Sequence, residues 1–189
     1  MDSVNAPDDR HTADTYFALV SEGLISPDDR SELLDGVIVA MPPQDPLHAS
    51  GIRRVDRALR RALGPEVLVS SQLPFIAGLR SVPEPDFAVL PGTVEDYERR
   101  HPARALLVVE VALSSLVQDR LTKSRIYAQA GVPSYWIVNL RDRVVEWFAD
   151  PDPAARVYRS RGVYDDATPL PLPALPGVTI RAADLLPPA

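Results

Sequence analysis

The chain contains no cysteine, so disulfide frameworks, zinc knuckles, iron–sulfur clusters and thiol catalysis are all excluded. It is nearly without lysine. Of its 20 Lys+Arg residues only Lys123 is a lysine. A sequence this biased toward arginine keeps a lysine either by accident or because arginine would not serve, and chemistry supplies one such reason: a compact ammonium can orient or deprotonate a water and a guanidinium cannot. No apolar run is longer than a strand, far short of the ~20 residues needed to span a bilayer. There is no excess of positive charge either: the formal net charge is −6. That argues against a protein that coats nucleic acid through a general positive field, but not against a carboxylate-rich metal site acting on nucleic acid locally. Met1 to His11 holds three acidic residues and no apolar core, unlike a signal peptide, and makes the cytoplasm the expected compartment.

What is present fits one globular domain. The 189 residues suffice to bury a core, and the hydrophobic fraction of 46% and charged fraction of 24% are ordinary for such a domain. Residues 1–11 are expected to form a flexible leader, and residues 12–189 a single domain. Thr12 to Glu22 predicts a short helix closed by Gly23, and Glu32 to Met41 a hairpin turning at Asp35-Gly36. A helix is expected from Pro46 to Leu63. Ile52, Val55, Leu59, Ala62 and Leu63 share one face of it, with Arg53, Arg54, Arg57, Arg60 and Arg61 opposite. Strands are expected over Glu66–Ile76, Asp86–Leu90 and Arg104–Leu113, then a helix over Leu116–Ala130 that stops at Gly131. A second hairpin pairs Tyr135–Leu140 with Val144–Phe148, and the proline-rich segment 151–189 adds short strands near Val157 and Val178. The order implies an α/β (α+β) architecture, a mixed sheet flanked by helices.

Three residues stand out chemically. Glu110 interrupts the apolar run Ala105–Leu113, where an ionised carboxylate is costly unless it is paired or holds a metal. The alternative is an exposed strand end with Glu110 on the surface. Asp86 opens its strand directly after Pro85, a placement also common in plain turn chemistry. Lys123 falls on the apolar side of its helix near Ile126, Tyr127 and Ala130. A snorkelling lysine, or one paired with Asp119, would explain that position alone, but neither accounts for all three residues. Two carboxylates at adjacent strand ends with one ammonium suit a divalent cation and an activated water, and hard oxygen ligands favour Mg²⁺ or Mn²⁺ over zinc. Such a cation offsets the mutual repulsion of the carboxylates and polarises a phosphoryl oxygen.

The combination of Pro85-Asp86 with Val109-Glu110-Val111 resembles the PD-(D/E)XK nuclease signature, and in particular its bacterial restriction-endonuclease-like family. The likeness extends through Glu32-Leu33-Leu34-Asp35-Gly36, Met41-Pro42 with His48, and Asp119-Arg120 with Lys123 and Tyr127. It continues through Ala130-Gly131-Val132-Pro133-Ser134-Tyr135-Trp136-Ile137-Val138, and so covers about Tyr16 to Phe148. It implies a restriction-endonuclease-like core at about 32–148, with a mainly four-stranded mixed sheet, an added N-terminal hairpin and C-terminal short strands. It also implies Asp86, Glu110 and the main-chain carbonyl of Val111 as ligands to Mg²⁺ (or Mn²⁺), with Glu32 as an extra acid beside the metal. The signature's lysine position, two residues after Glu110, is Ala112 here, and the resemblance assigns its role to Lys123 on the following helix. Milder departures are the missing proline after Ser114, Ser134 for a usual glutamate and Asn139 for a usual aspartate.

His48, on the apolar face of its helix, is either a core residue or a contact to substrate phosphate or to Glu32. Arg53 and Arg57, on the opposite face, are candidate contacts to a phosphate backbone or simply solvated. The resulting expectation is a metal-dependent phosphodiesterase acting on DNA, with Lys123 orienting the attacking water. The alternative is a nuclease-fold nucleic-acid-binding or interaction module without useful catalysis. A glycosidase-type carboxylate pair finds little support in a chain that is 6% aromatic. Membrane association is not expected, and a homodimer would suit cutting of two strands.

Overall fold

In the computed structural model, residues 10–26, 29–165 and 168–188 are described. Of the expected leader, residues 1–9 lie outside that set. His11 is tied down by its N–H, which donates to the carbonyl of Gly36 (2.9 Å). Helix α1 (Ala13–Ser21) starts at a capping box in which Thr12 and Thr15 exchange side-chain and backbone hydrogen bonds. Its buried Tyr16 donates a hydrogen bond to the carbonyl of Ser31 (2.8 Å) and so fixes the start of the hairpin β1 (Ser31–Leu34) and β2 (Val37–Ala40). The hairpin turns on Asp35 (φ 48°) and Gly36 (φ 84°), both left-handed as a tight two-residue turn demands. At Gly36 a Cβ would also come within 2.5 Å of the Arg10 Cβ.

Helix α2 (Pro46–Ala62) is capped by Asp45, whose carboxylate accepts from the N–H groups of Leu47 and His48. Its apolar stripe of Val55, Ala58 and Leu59 packs on the sheet. Gly51 permits the closest approach, since a Cβ there would sit 2.7 Å from Val111 Cγ1. This close packing brings His48, one turn earlier, over the end of the central strand.

The main sheet has six strands in the order β3 (Val67–Ser70), β4 (Phe87–Pro91), β5 (Leu107–Ala112), β6 (Ser134–Asn139), β7 (Val144–Asp152) and β8 (Val157–Tyr164). Only β5 and β6 run parallel; the other neighbours are antiparallel. Parallel neighbours require a crossover. Here it is one helical rod: α3 (Leu116–Gln118), a π-helical turn (Asp119–Lys123) and α4 (Ser124–Gln129). The rod covers one face of the sheet, while α2 and the C-terminal segment with α5 (Ala182–Leu185) cover the other.

Several expectations change. The sheet has six strands, not mainly four, because β3 and β8 extend it at both edges and β1–β2 form a separate two-stranded sheet. The strand expected to Ile76 ends at Ser70. Gln72 takes φ 52° and turns its N–H to the carbonyls of Pro85 and Asp86, drawing the chain out of the ladder. The strand at Val157 is not short but spans eight residues, pairing with β7 through Asp152. No strand forms at Val178. A single bridge joins Pro169 and Arg181, and Leu170, Leu172, Leu175 and Ile180 pack onto the sheet face instead. Among the described residues no helix is long and apolar enough to cross a membrane.

Candidate active site

The β4–β5 register pairs Phe87 with Val109. One step further along the same ladder puts Asp86 beside Glu110, although they are 24 positions apart in the chain. The Asp86 N–H points to Glu110 Oε2 (3.3 Å), and the Val111 N–H donates to Asp86 Oδ2 (2.8 Å). Gln72 Nε2 lies 3.3 Å from Asp86 Oδ1. Both carboxylates are buried, Glu110 to 4% exposure and Asp86 to 8%. The expectation that Glu110 is interior holds, and the exposed-strand-end alternative fails.

Lys123 arrives from the rod. Its Nζ lies 3.1 Å from Glu110 Oε1 and 3.2 Å from Glu32 Oε2, and Glu32 also accepts from the N–H of Glu84 (3.3 Å). Burial opposes the charge on Lys123, but Glu110, Glu32 and Asp119 outweigh it and hold the ammonium above its ordinary pKa. Lys123 is therefore neither snorkelling nor solvated. Asp119, one turn earlier, is not its hydrogen-bonding partner; its Oδ2 accepts from the Ser115 hydroxyl (2.6 Å).

The π turn sets this arrangement. It encloses one residue more than an α turn, the Ser124 N–H reaching back to the carbonyl of Asp119. The Arg120 carbonyl is satisfied instead by the Ser124 hydroxyl (2.6 Å). Within this turn Asp119 and Lys123 are both buried, while Arg120 points away to a bidentate pair with Glu146 (2.6 and 2.8 Å). Such turns concentrate at functional sites. Apolar periodicity over Leu116–Ala130 gives no sign of it.

The cluster opens into a cleft of about 90 Å³ lined by Glu32, Glu84, Asp86, Glu110 and Asp119, with Lys123, Arg30 and His48. Asp45 also lines it, so six carboxylates face few cations. Burial raises Glu110 to about 8 despite Lys123, with Asp86, Asp119 and Glu32 adding to the rise. Burial likewise raises Asp119 to about 6. Two donors hold Glu110 Oε1: Lys123 and the Tyr127 hydroxyl, which donates at 2.7 Å. Tyr127 lies four residues after Lys123, so the ordinary i,i+4 helix pairing could have indicated it as a site residue.

His48 is not a core residue. It lines the cleft with Nε2 3.6 Å from Asp86 Oδ2, so its carboxylate neighbour is Asp86 rather than Glu32. The Asp86 interaction raises its pKa against burial. Arg53 and Arg57 are exposed on α2 and do not line the cleft. Their neighbours are partly structural: Arg60 pairs with Asp56 and Arg61 with Asp184 of α5.

Among the described residues no three His, Asp or Glu side chains are placed to hold a metal between them. A closed cage of the zinc type is therefore not built here. Asp86 and Glu110 form a sparser all-oxygen donor pair, the kind magnesium uses when water and substrate oxygens complete its shell. The surplus of buried negative charge fits the same kind of ion.

The family that matches the sequence, over residues 13–183, is Uma2, described as "Putative restriction endonuclease". The chain belongs to this family. No curated protein matches it. This Uma2 chain is similar in fold to the crystal structure of a protein from Anabaena variabilis, described there as a putative nuclease belonging to DUF820. The TM-score is 0.71 at 16% identity, covering 93% of this chain and 97% of that one. A second solved structure, the type IIG restriction endonuclease BpuSI, has a TM-score of 0.38 at 20% identity. It covers 64% of this Uma2 chain and 13% of that one.

Proposed function

We propose that the chain is a Mg²⁺- or Mn²⁺-dependent phosphodiesterase that hydrolyses DNA, in keeping with the PD-(D/E)XK signature. The observation that carries this reading is the meeting of Asp86, Glu110 and Lys123 in one buried cleft, from two strands and a helix. The description of the Uma2 family, and that of the Anabaena variabilis protein as a putative nuclease, point the same way.

In this reading Asp86, Glu110 and the Val111 carbonyl hold the ion. Bound there, the ion supplies polarisation of a phosphoryl oxygen and a lowered pKa of water. The other roles belong to the chain. Lys123 is held protonated by Glu110 and Glu32, so it acts as a donor. It orients the attacking water and stabilises negative charge developing on the phosphoryl group. Glu32 in turn fixes the ammonium. His48 stands at the rim over Asp86, where it can donate to a substrate phosphate. Arg53 and Arg57, outside the cleft, would contact DNA only along a path that follows α2. A homodimer would bring two such sites to a duplex, and the cytoplasm is where DNA would be met.

The net charge of −6 favours a second reading, a nuclease-fold binding module without useful catalysis. Ion binding separates the two. The test is cleavage of plasmid and branched DNA with Mg²⁺ or Mn²⁺ by wild type, Lys123→Ala and Asp86→Ala. Removing one partner of a buried ion pair costs about 3–5 kcal/mol, so the variants are assayed below their melting transitions. The expected outcome is ion-dependent cleavage that falls at least about 100-fold in both variants, the scale on which removal of a transition-state donor acts. Absence of cleavage together with absence of calorimetric Mn²⁺ binding by the wild type would sink the catalytic reading.

A further inference from the structure

Glu110 has two oxygens in unequal surroundings. Oε1 accepts from Lys123 Nζ (3.1 Å) and from the Tyr127 hydroxyl (2.7 Å), whereas among the described residues Oε2 has only the long contact from the Asp86 N–H (3.3 Å). Oε2 is therefore the oxygen turned toward Asp86 and the less engaged of the two.

Tyr127 is built to hold this asymmetry. It has no exposed surface, and its ring lies between Phe75 (centroids 6.4 Å apart) and Tyr135 (5.0 Å), which leaves it little rotational freedom. Toward an ionised carboxylate, the form of Glu110 that would hold a cation, a phenol can only donate. A lysine alone would not fix the rotamer, because its ammonium has three donors on a flexible stem and here also serves Glu32. The phenol has one hydrogen and one direction.

We propose that Tyr127 is a positioning residue that locks Glu110 by Oε1 and so presents Oε2, beside Asp86, as the oxygen available to a divalent cation. This rests on the reading of Asp86 and Glu110 as the ion-binding pair. Groups that orient a metal ligand from behind typically change ion affinity by about 10–100-fold when removed.

The test is calorimetric titration of Mn²⁺ into wild type, Tyr127→Phe and Asp86→Ala, with the ion-free thermal transition of each recorded alongside. The expected result is binding by the wild type, none by Asp86→Ala, and affinity lowered about tenfold or more in Tyr127→Phe, with its ion-free transition close to wild type. Wild-type affinity in Tyr127→Phe, with Asp86→Ala still silent, overturns the positioning role and leaves the ion site standing. No binding by the wild type removes both. A second measurement does not depend on the variant folding: Mn²⁺ located by anomalous scattering in crystals of the wild type. The ion should lie on Oε2 with the Tyr127 hydroxyl still on Oε1, and an ion ligated through Oε1 overturns the proposal.

Discussion

Strand β5 presents two buried faces, and only one of them, between Val108 and Ala112, carries an ionisable group. Val109 and Val111 look toward α2 and the C-terminal segment, joining Val89, Trp136, Val138, Leu59 and Ile180 in a wholly apolar layer. Glu110, between them, looks toward the rod, where Lys123, Tyr127 and Asp119 await it and Glu32 approaches from the hairpin. Burying ions is costly even when they are paired, and such pairs are weak contributors to stability. The contrast assigns the labour: both faces bury apolar residues that stabilise the fold, and the rod face alone also accepts a cost in stability to hold an electrostatic arrangement.

Substitutions on the two faces should separate these roles. The largest effect on stability is expected from Trp136→Ala, which empties a fully buried site in the apolar layer. Truncations of this kind cost about 3–5 kcal/mol, readable as a drop in the urea midpoint with an unchanged slope. Glu110→Gln on the other face empties no space and leaves Lys123 its second carboxylate, Glu32, so its stability loss should be smaller than that of Trp136→Ala. The same change should abolish Mn²⁺ binding. Equal stability losses in the two variants would break the division of roles.

A pH effect comes next in size and belongs to the cleft, where His48 and Glu84 are raised as well. Burial raises Glu110 from its ordinary 4.5 to about 8 and Asp119 from 3.8 to about 6. The folded protein thus binds these protons more tightly than the unfolded chain, and stability falls with rising pH wherever that is so. The contribution is present in full below pH about 4 and is lost as pH climbs through about 6 and then about 8. In ion-free buffer the melting temperature should therefore decline from about pH 5 to about pH 8.5. Glu110→Gln should remove the upper part of the decline, Trp136→Ala should keep it, and saturating Mn²⁺ should flatten it by favouring ionised carboxylates. A flat ion-free profile in the wild type would show that Glu110 is ionised throughout.

The same contrast explains how much of the molecule is legible in its residues. The apolar face is legible because its signal is periodic: the α2 stripe, the β5 run and the Asp35-Gly36 turn all lie where local pattern places them. Asp86, Glu110 and Lys123 are legible as anomalies, a carboxylate in an apolar strand and a lone lysine facing inward. Tyr127 is legible only as a member of the matched motif, i,i+4 from Lys123, because a tyrosine on an apolar helix face otherwise looks like core, and by burial it is core. The π turn is hidden because one extra residue in a turn does not disturb hydrophobic spacing over so short a helix. His48 is ambiguous for a related reason. Its face of α2 is apolar, but the helix overhangs the end of the sheet there, and only the packing of Gly51 on Val111 shows it. The added edge strands depend on pairings far apart in sequence, such as Val145 with Tyr164, that no local pattern reports.

The smallest effect should come from the outer surface of α2, which neither face of β5 touches. Arg60 and Asp56 form an i,i+4 pair at 2.8 Å with side chains 55% and 36% exposed. Coulomb attraction there is screened, and ordering two long side chains offsets much of it, so exposed pairs of this type are worth about 0.3–0.5 kcal/mol. Arg60→Ala should change the unfolding free energy from urea titration by no more than that, and the change should vanish in about 1 M salt, where screening acts over only about 3 Å. Arg53→Ala and Arg57→Ala, exposed and outside the cleft, should leave stability within about 0.5 kcal/mol. They give the comparison a finer edge through DNA affinity instead. If a duplex runs along α2, each lost phosphate contact should flatten the slope of log affinity against log salt by about 0.9. An unchanged slope in the double variant would leave these two arginines as a solvated surface and confine DNA to the rod-face cleft.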